Sequence, residues 1–158
     1  MKKLTGIELA IVLATTAHAG QLDKGGQPYI LHPLRVMLAM CEEDERIVAV
    51  LHDTIEDTEL MLADLVEQFS RKVVDAVDAL TRRESETYFE YIQRLVENET
   101  ACKVKLADLA DNMSQDRSSY LSEDERTGLN KRYTKALQIV TEALGNHKKA
   151  AAQQAAAF

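Results

Sequence analysis

Apolar residues recur at steps of three and four along nearly the whole chain, and nowhere do they alternate over the length of a strand. That period is helical, because residues three and four apart share one face of an α-helix. Ile7, Ala10, Ile11, Ala14 and Ala17 form one stripe, and Leu62, Leu65, Val66 and Phe69 another. Val73, Val74, Val77 and Leu80 form a third, and Phe89, Ile92 and Val96 a fourth. Two prolines and six glycines in 158 residues leave few breaks. The pattern predicts an all-α bundle of about eight helices, at 5–19, 33–41, 43–57, 60–69, 71–82, 86–98, 100–113 and 123–146. The stripes are core, and no chemistry is assigned to them. A chain of this length makes one domain and buries about two-thirds of its unfolded surface. Residues 1–147 carry the helical pattern, and 148–158 read as a low-complexity tail that frays from the last helix,.

The first twenty residues, MKKLTGIELAIVLATTAHAG, admit two readings. Two lysines, an apolar run and Ala17-His18-Ala19 look like a secretory signal with its cleavage site,. Against this, Glu8 stands inside the segment that would enter the membrane, at a cost of about 2.5 kcal/mol or more,. As a soluble helix, Thr5-Gly6-Ile7-Glu8 fits a capping box in which hydroxyl and carboxylate each take the other's amide,.

No run reaches the length of a membrane span,. The net charge of −7 argues against non-specific binding to nucleic acid or to anionic membranes,. A small polyanion remains admissible if basic groups gather locally. Cys41 and Cys102 read as reduced core thiols, since no disulfide framework accompanies them,. The expected setting is the cytoplasm, and oligomeric state is left open.

Three polar clusters interrupt the apolar faces. Tyr29-Ile30-Leu31-His32-Pro33 follows a glycine loop, VLHDTIEDT gives His52, Asp53, Glu56 and Asp57, and VKLADLADN gives Asp108 and Asn112. On one continuous helix, His52 and Glu56 would share a line, as would Asp53 and Asp57. Carboxylates so close repel one another, and a divalent cation removes the conflict. Taken singly, each residue has an ordinary explanation: a cap before proline, a solvated helix end, a polar surface position. Taken together, His32, His52, Asp53 and Asp108, each beside apolar neighbours, are hard to leave unpaired in a bundle, and metal binding is the better reading. Mixed nitrogen and oxygen donors favour Mn²⁺, Fe²⁺ or Zn²⁺ over Ca²⁺ or Mg²⁺, and two His with two Asp suit octahedral Mn²⁺ best.

HAGQLDKGGQPYILHP, VLHDTIEDT and VKLADLADNM, in that order, resemble the hydrolase half of the RelA/SpoT-homologue family, within the HD phosphohydrolase superfamily. The likeness runs over roughly residues 5–145, includes LMLADLVEQFSRKVVDAVDALTR, and lacks any synthetase-like region, as in the small stand-alone alarmone hydrolases. It implies an HD-domain helical bundle, and it makes His18-Ala19-Gly20-Gln21 the end of a first helix rather than a cleavage site. His18 reads as structural. It implies one Mn²⁺ on His32, His52, Asp53 and Asp108, with Glu56 and Asp57 positioning and deprotonating the attacking water. The implied reaction removes the 3′-pyrophosphate of (p)ppGpp-like nucleotides and leaves GDP or GTP. Lys24 matches a lysine beside the nucleotide, Asn112 an asparagine near the ribose, and Tyr133 a late tyrosine near the phosphates. Lys131, Arg132 and Lys135 offer local positive charge or simply a solvated basic face.

Two departures from the family stand out. Asp23 occupies the place of an arginine that packs on the purine, and a carboxylate cannot stack that way,. It could accept hydrogen bonds from either purine, so base preference is open between guanine and adenine alarmones such as (p)ppApp. In LADLADN, Leu109 and Asp111 replace a basic residue and an imidazole or aromatic one. A non-catalytic nucleotide-binding regulator is the reading from another class.

Overall fold

The computed structural model describes residues 4–114, 117 and 119–156. Among them are nine helical segments and no strand: α1 (Gly6–Ala17), α2 (Leu31–Leu38), α3 (Glu43–Leu51), α4 (Thr54–Asp57), α5 (Leu62–Val66), α6 (Arg71–Leu80), α7 (Tyr88–Leu95), α8 (Glu99–Asn112) and α9 (Glu123–Ala156). The all-α architecture is the one the three-and-four period demands.

Helix α3 is the hub. Ile47, Val48, Ala49, Val50 and Leu51 are all buried, an unbroken apolar run with no face for solvent. Such a helix must be enclosed, and α1, α2, α6 and α8 pack around it. Val73, Val74, Val77 and Leu80 of α6 bury as their spacing requires, while Val66 of the preceding stripe is exposed. Helix α6 starts on Ser70, which accepts the Val73 amide. Helix α7 starts on a Thr87–Glu90 capping box, and α8 on Asn98, which accepts the Ala101 amide. These short polar side chains satisfy amides that have no partner inside the helix.

The expected capping box at α1 does not form. Thr5 makes no side-chain hydrogen bond, Glu8 is exposed, and Gly6 opens the helix at φ +56°. A left-handed φ at the first helical position breaks the geometry that a reciprocal box needs. Cys102 is buried but Cys41, expected in the core, is exposed in the turn before α3; both are free thiols. Helix α9 extends beyond 146, through Ala156. His147 Nε2 donates to the Val96 carbonyl (2.8 Å), and 148–156 are exposed. Among the described residues no helix is long and apolar enough to cross a membrane.

The predicted helix 43–57 is two helices, and the break falls at His52-Asp53. His52 Nδ1 donates to the Ala49 carbonyl (2.7 Å), and the Thr54 hydroxyl to that of Leu51 (2.7 Å). Side chains thereby take the carbonyls at the end of α3, and the chain turns before α4 begins on the Asp57 amide to Asp53 carbonyl bond (3.0 Å),.

Candidate active site

That break builds the centre. On a straight helix, adjacent side chains diverge by about 100°; here His52 Nε2 lies 2.9 Å from Asp53 Oδ2. The Asp53–Asp57 step survives in the Asp57 amide to Asp53 carbonyl bond, and the Tyr29 hydroxyl reaches both carboxylates. Helix α2 contributes His32 from its first turn, with Nε2 3.6 Å from Asp53 Oδ2. Helix α8 contributes Asp108, whose Oδ1 is 3.1 Å from His32 Nε2 and 3.6 Å from His52 Nε2. His32, His52 and Asp108 are buried. Ligand atoms of His32, His52 and Asp53 lie within 4.8 Å of one another.

The donor set fits a divalent cation on structural grounds. Each imidazole spends Nδ1 elsewhere, His52 on Ala49 and His32 on Asp111 (2.7 Å), so both turn Nε2 toward the same two carboxylates. His52 Nε2 is buried and makes no hydrogen bond, although two carboxylate oxygens stand within 3.6 Å; the approach to Asp53 is close but off the ring's N–H direction. A buried polar atom in that position calls for a partner. Burial pushes Asp53 and Asp108 upward, but His52 beside Asp53, and Lys105 beside Asp108, more than offset it and hold both well below the usual carboxylate range. Burial opposes a charged His52, yet Asp53 and Asp108 raise its pKa well above the usual imidazole value. The centre therefore favours positive charge.

Its surroundings divide into two adjoining cavities. The inner one, about 260 Å³, is lined by His32, Asp53, Glu56, Arg82, Lys105 and Asp108 among others. The outer one, about 330 Å³, includes Lys24, Arg117, Arg126 and Arg132 in its wall. Tyr29, Asn112, Arg132 and Tyr133 line both. The positive charge that a total of −7 conceals is thus gathered at the site. Arg132 supplies part of it, while Lys135 lies over the Phe89 ring (4.2 Å) outside both walls.

The expected site residues divide accordingly. Glu56 reaches the inner cavity, with Oε2 accepting the Arg82 amide (2.9 Å). Asp57 does not; it lines a separate hollow with Thr16 and Gln21, and its Oδ2 is 3.5 Å from the Tyr29 hydroxyl. Burial, then the charges of Asp53 and Glu56, raise its pKa. Asn112 donates to Asp108 Oδ1 (2.6 Å) from one turn along α8. Asp23 lines the outer cavity, but its Oδ1 accepts the amides of Gly25 and Gln27 (both 2.9 Å), tying the loop to itself. Gly26, at φ +76°, supplies the left-handed residue that turn requires,. His18 is buried, held by Gln21 Oε1 (2.6 Å) and 5.0 Å from the Tyr29 ring.

Three residues of the site had no role from sequence. The Tyr29 hydroxyl donates to Asp53 Oδ2 (2.6 Å), and burial with the Asp53 charge raises its pKa and keeps the proton on. Lys105 pairs with Asp108 Oδ2 at 2.8 Å; burial disfavours its charge, but Asp108 restores it well above the usual lysine value. Its i,i+3 spacing to Asp108 was the available signal. Asp111 holds both His32 and Arg35.

The family model for the HD domain matches residues 10–127, well over half the chain. This chain belongs to the HD-domain family. Among curated proteins, the HD domain is 33% identical over 119 residues to guanosine-3′,5′-bis(diphosphate) 3′-pyrophosphohydrolase of Aquifex aeolicus (strain VF5), covering 68% of this chain and 17% of that one. It is 29% identical to the bifunctional (p)ppGpp synthase/hydrolase SpoT of Escherichia coli (strain K12), over 66% of this chain and 17% of the relative. The HD domain thus spans only a small part of each of these relatives. A solved metazoan orthologue of SpoT, described as hydrolysing ppGpp, superposes with a TM-score of 0.70 at 22% identity, over 91% of this chain and 88% of that one. That likeness shows the shared HD-type helical fold.

Proposed function

We propose that this HD domain hydrolyses the 3′-pyrophosphate of (p)ppGpp-like nucleotides, using one divalent ion held by His32, His52, Asp53 and Asp108. The observation that carries the reading is the convergence of two imidazole Nε2 atoms on the carboxylates of Asp53 and Asp108, beside a cation-lined cavity. The named relatives supply the substrate class. Mixed nitrogen and oxygen donors favour Mn²⁺. When bound, such an ion lowers the pKa of a water and offsets phosphate charge.

The chain's own groups do the rest. Glu56, fixed by the Arg82 amide, accepts the proton of the attacking water,. Lys105 and Arg132 line the inner cavity and offset charge on the pyrophosphate. Lys24, Arg117 and Arg126 line the outer cavity and receive the 5′-phosphates, with Tyr133 and Asn112 between the two. Asp57 acts only through the Tyr29 hydroxyl, which it shares with Asp53. Pyrophosphate leaves, and GDP or GTP remains. The free thiols of Cys41 and Cys102 suit a reducing, cytoplasmic setting,.

The test is pyrophosphate release from ppGpp and ppApp by the purified chain, with and without Mn²⁺. Metal-dependent release supports the reading. Cleavage confined to 5′-phosphates would assign another phosphohydrolase reaction, and ppGpp binding with no turnover in Mn²⁺ would make the protein a regulator.

A further inference from the structure

The imidazole of His32 stands between two carboxylates of one helix. Asp108 faces its Nε2 side at 3.1 Å, and Asp111, three residues on in α8, faces its Nδ1 side at 2.7 Å. Asp111 is largely buried, and Arg35 grips it through Nε to Oδ1 (2.6 Å) and Nη2 to Oδ2 (3.0 Å). Arg117 Nη1 approaches Oδ2 at 3.7 Å. A guanidinium paired to both oxygens in this way is the geometry of an ionised carboxylate,. An ionised carboxylate only accepts, so the ring must donate from Nδ1.

This matters because a neutral imidazole has one N–H to place. With Asp111 absent, the competing tautomer would put the proton on Nε2, where Asp108 Oδ1 offers an acceptor at 3.1 Å. That arrangement removes the lone pair a cation needs and occupies the carboxylate opposite. The two imidazoles differ in this respect. His52 is set by the Ala49 carbonyl, part of the backbone, whereas His32 is set by a side chain. Asp111 stands where the resembled family carries histidine or tyrosine.

We infer that Asp111 is the positioning residue for His32, fixing the tautomer that turns Nε2 toward Asp53 and Asp108 and thereby setting the affinity of the centre for a divalent ion. The inference rests on the metal reading above. Outer carboxylates that orient ligating histidines change metal affinity by about 10–100-fold when removed. Arg35 and Arg117 neutralise the added negative charge, so Asp111 orients the ring without drawing the cation to itself.

Two variants test this. Asp111→Asn is nearly isosteric and keeps an acceptor oxygen; Asp111→Ala removes it. Two-dimensional nitrogen–proton NMR on the metal-free protein reports the His32 tautomer, and titration with Mn²⁺ followed by electron paramagnetic resonance reports affinity. Wild type should show the Nδ1–H form. Asp111→Ala should shift His32 toward Nε2–H and weaken Mn²⁺ binding by about 10–100-fold, while Asp111→Asn keeps the tautomer and loses less affinity. A residue that merely packs would lower thermal stability without changing the tautomer. If wild type binds Mn²⁺ and both folded variants bind it equally well with an unchanged His32 spectrum, the inference is wrong. If wild type itself binds no divalent ion, the metal reading fails first and takes the inference with it.

Discussion

Lys105 and Asp108 are a buried ion pair on one helix, separated by 2.8 Å, with side chains 12% and 5% exposed. At that distance, with an effective dielectric constant of about 20, the gross attraction is about 6 kcal/mol. Asp108 has other partners in Asn112 and the two imidazoles, so removing Lys105 leaves it only partly uncompensated. We expect a coupling energy of about 3 kcal/mol, the upper end for residues sharing one network. The perturbation is a double-mutant cycle of Lys105→Met, Asp108→Asn and the pair together. Each single change strands a buried charge, which is costly; the double change strands none. In a chain of this size about 3 kcal/mol corresponds to a Tm change of roughly 6–12 °C. Urea and thermal unfolding in a chelator should show the double variant more stable than the two single losses added together. Mn²⁺ should reduce the penalty of Lys105→Met, because a second cation then faces Asp108. Losses that add within about 0.5 kcal/mol would refute the reasoning.

Other outcomes follow from the same geometry. His52→Ala and Asp53→Ala should each abolish turnover and lower bound manganese; full manganese occupancy in both variants would remove them as ligands. Glu56→Gln keeps the acceptor for the Arg82 amide but takes no proton, so kcat should fall about a hundredfold or more with metal content intact. Wild-type turnover would exclude Glu56 as the base. Asp23→Asn should behave as wild type because it keeps an acceptor for Gly25 and Gln27. Asp23→Ala should loosen the loop and raise KM for ppGpp and ppApp together; a changed ratio between the two would show that Asp23 meets the base instead.

The sequence by itself determined the class of structure and the chemical inventory. Apolar spacing specified helices because a helix buries one face, and α6 and α8 lie within two residues of the predicted bounds at either end. It also picked out His32, His52, Asp53 and Asp108, since unpaired polar groups beside core residues require an explanation. What it could not show was direction. The period through 43–57 reads as one helix, yet two side chains, His52 and Thr54, take carbonyls at the end of α3 and break it. Only that tertiary choice turns adjacent His52 and Asp53 toward one point, and moves Asp57 away from the cavity that Glu56 lines. Asp23 shows the same in a loop: sequence placed its carboxylate near the base, and the structure puts it in the outer cavity wall with Oδ1 engaged by the Gly25 and Gln27 amides. Asp111, 79 positions from His32, read as a lost basic or aromatic neighbourhood and proved to be a hydrogen-bond partner. Side-chain period is set by bonds along the chain, but which lone pair faces which proton is set by elements that meet only after folding.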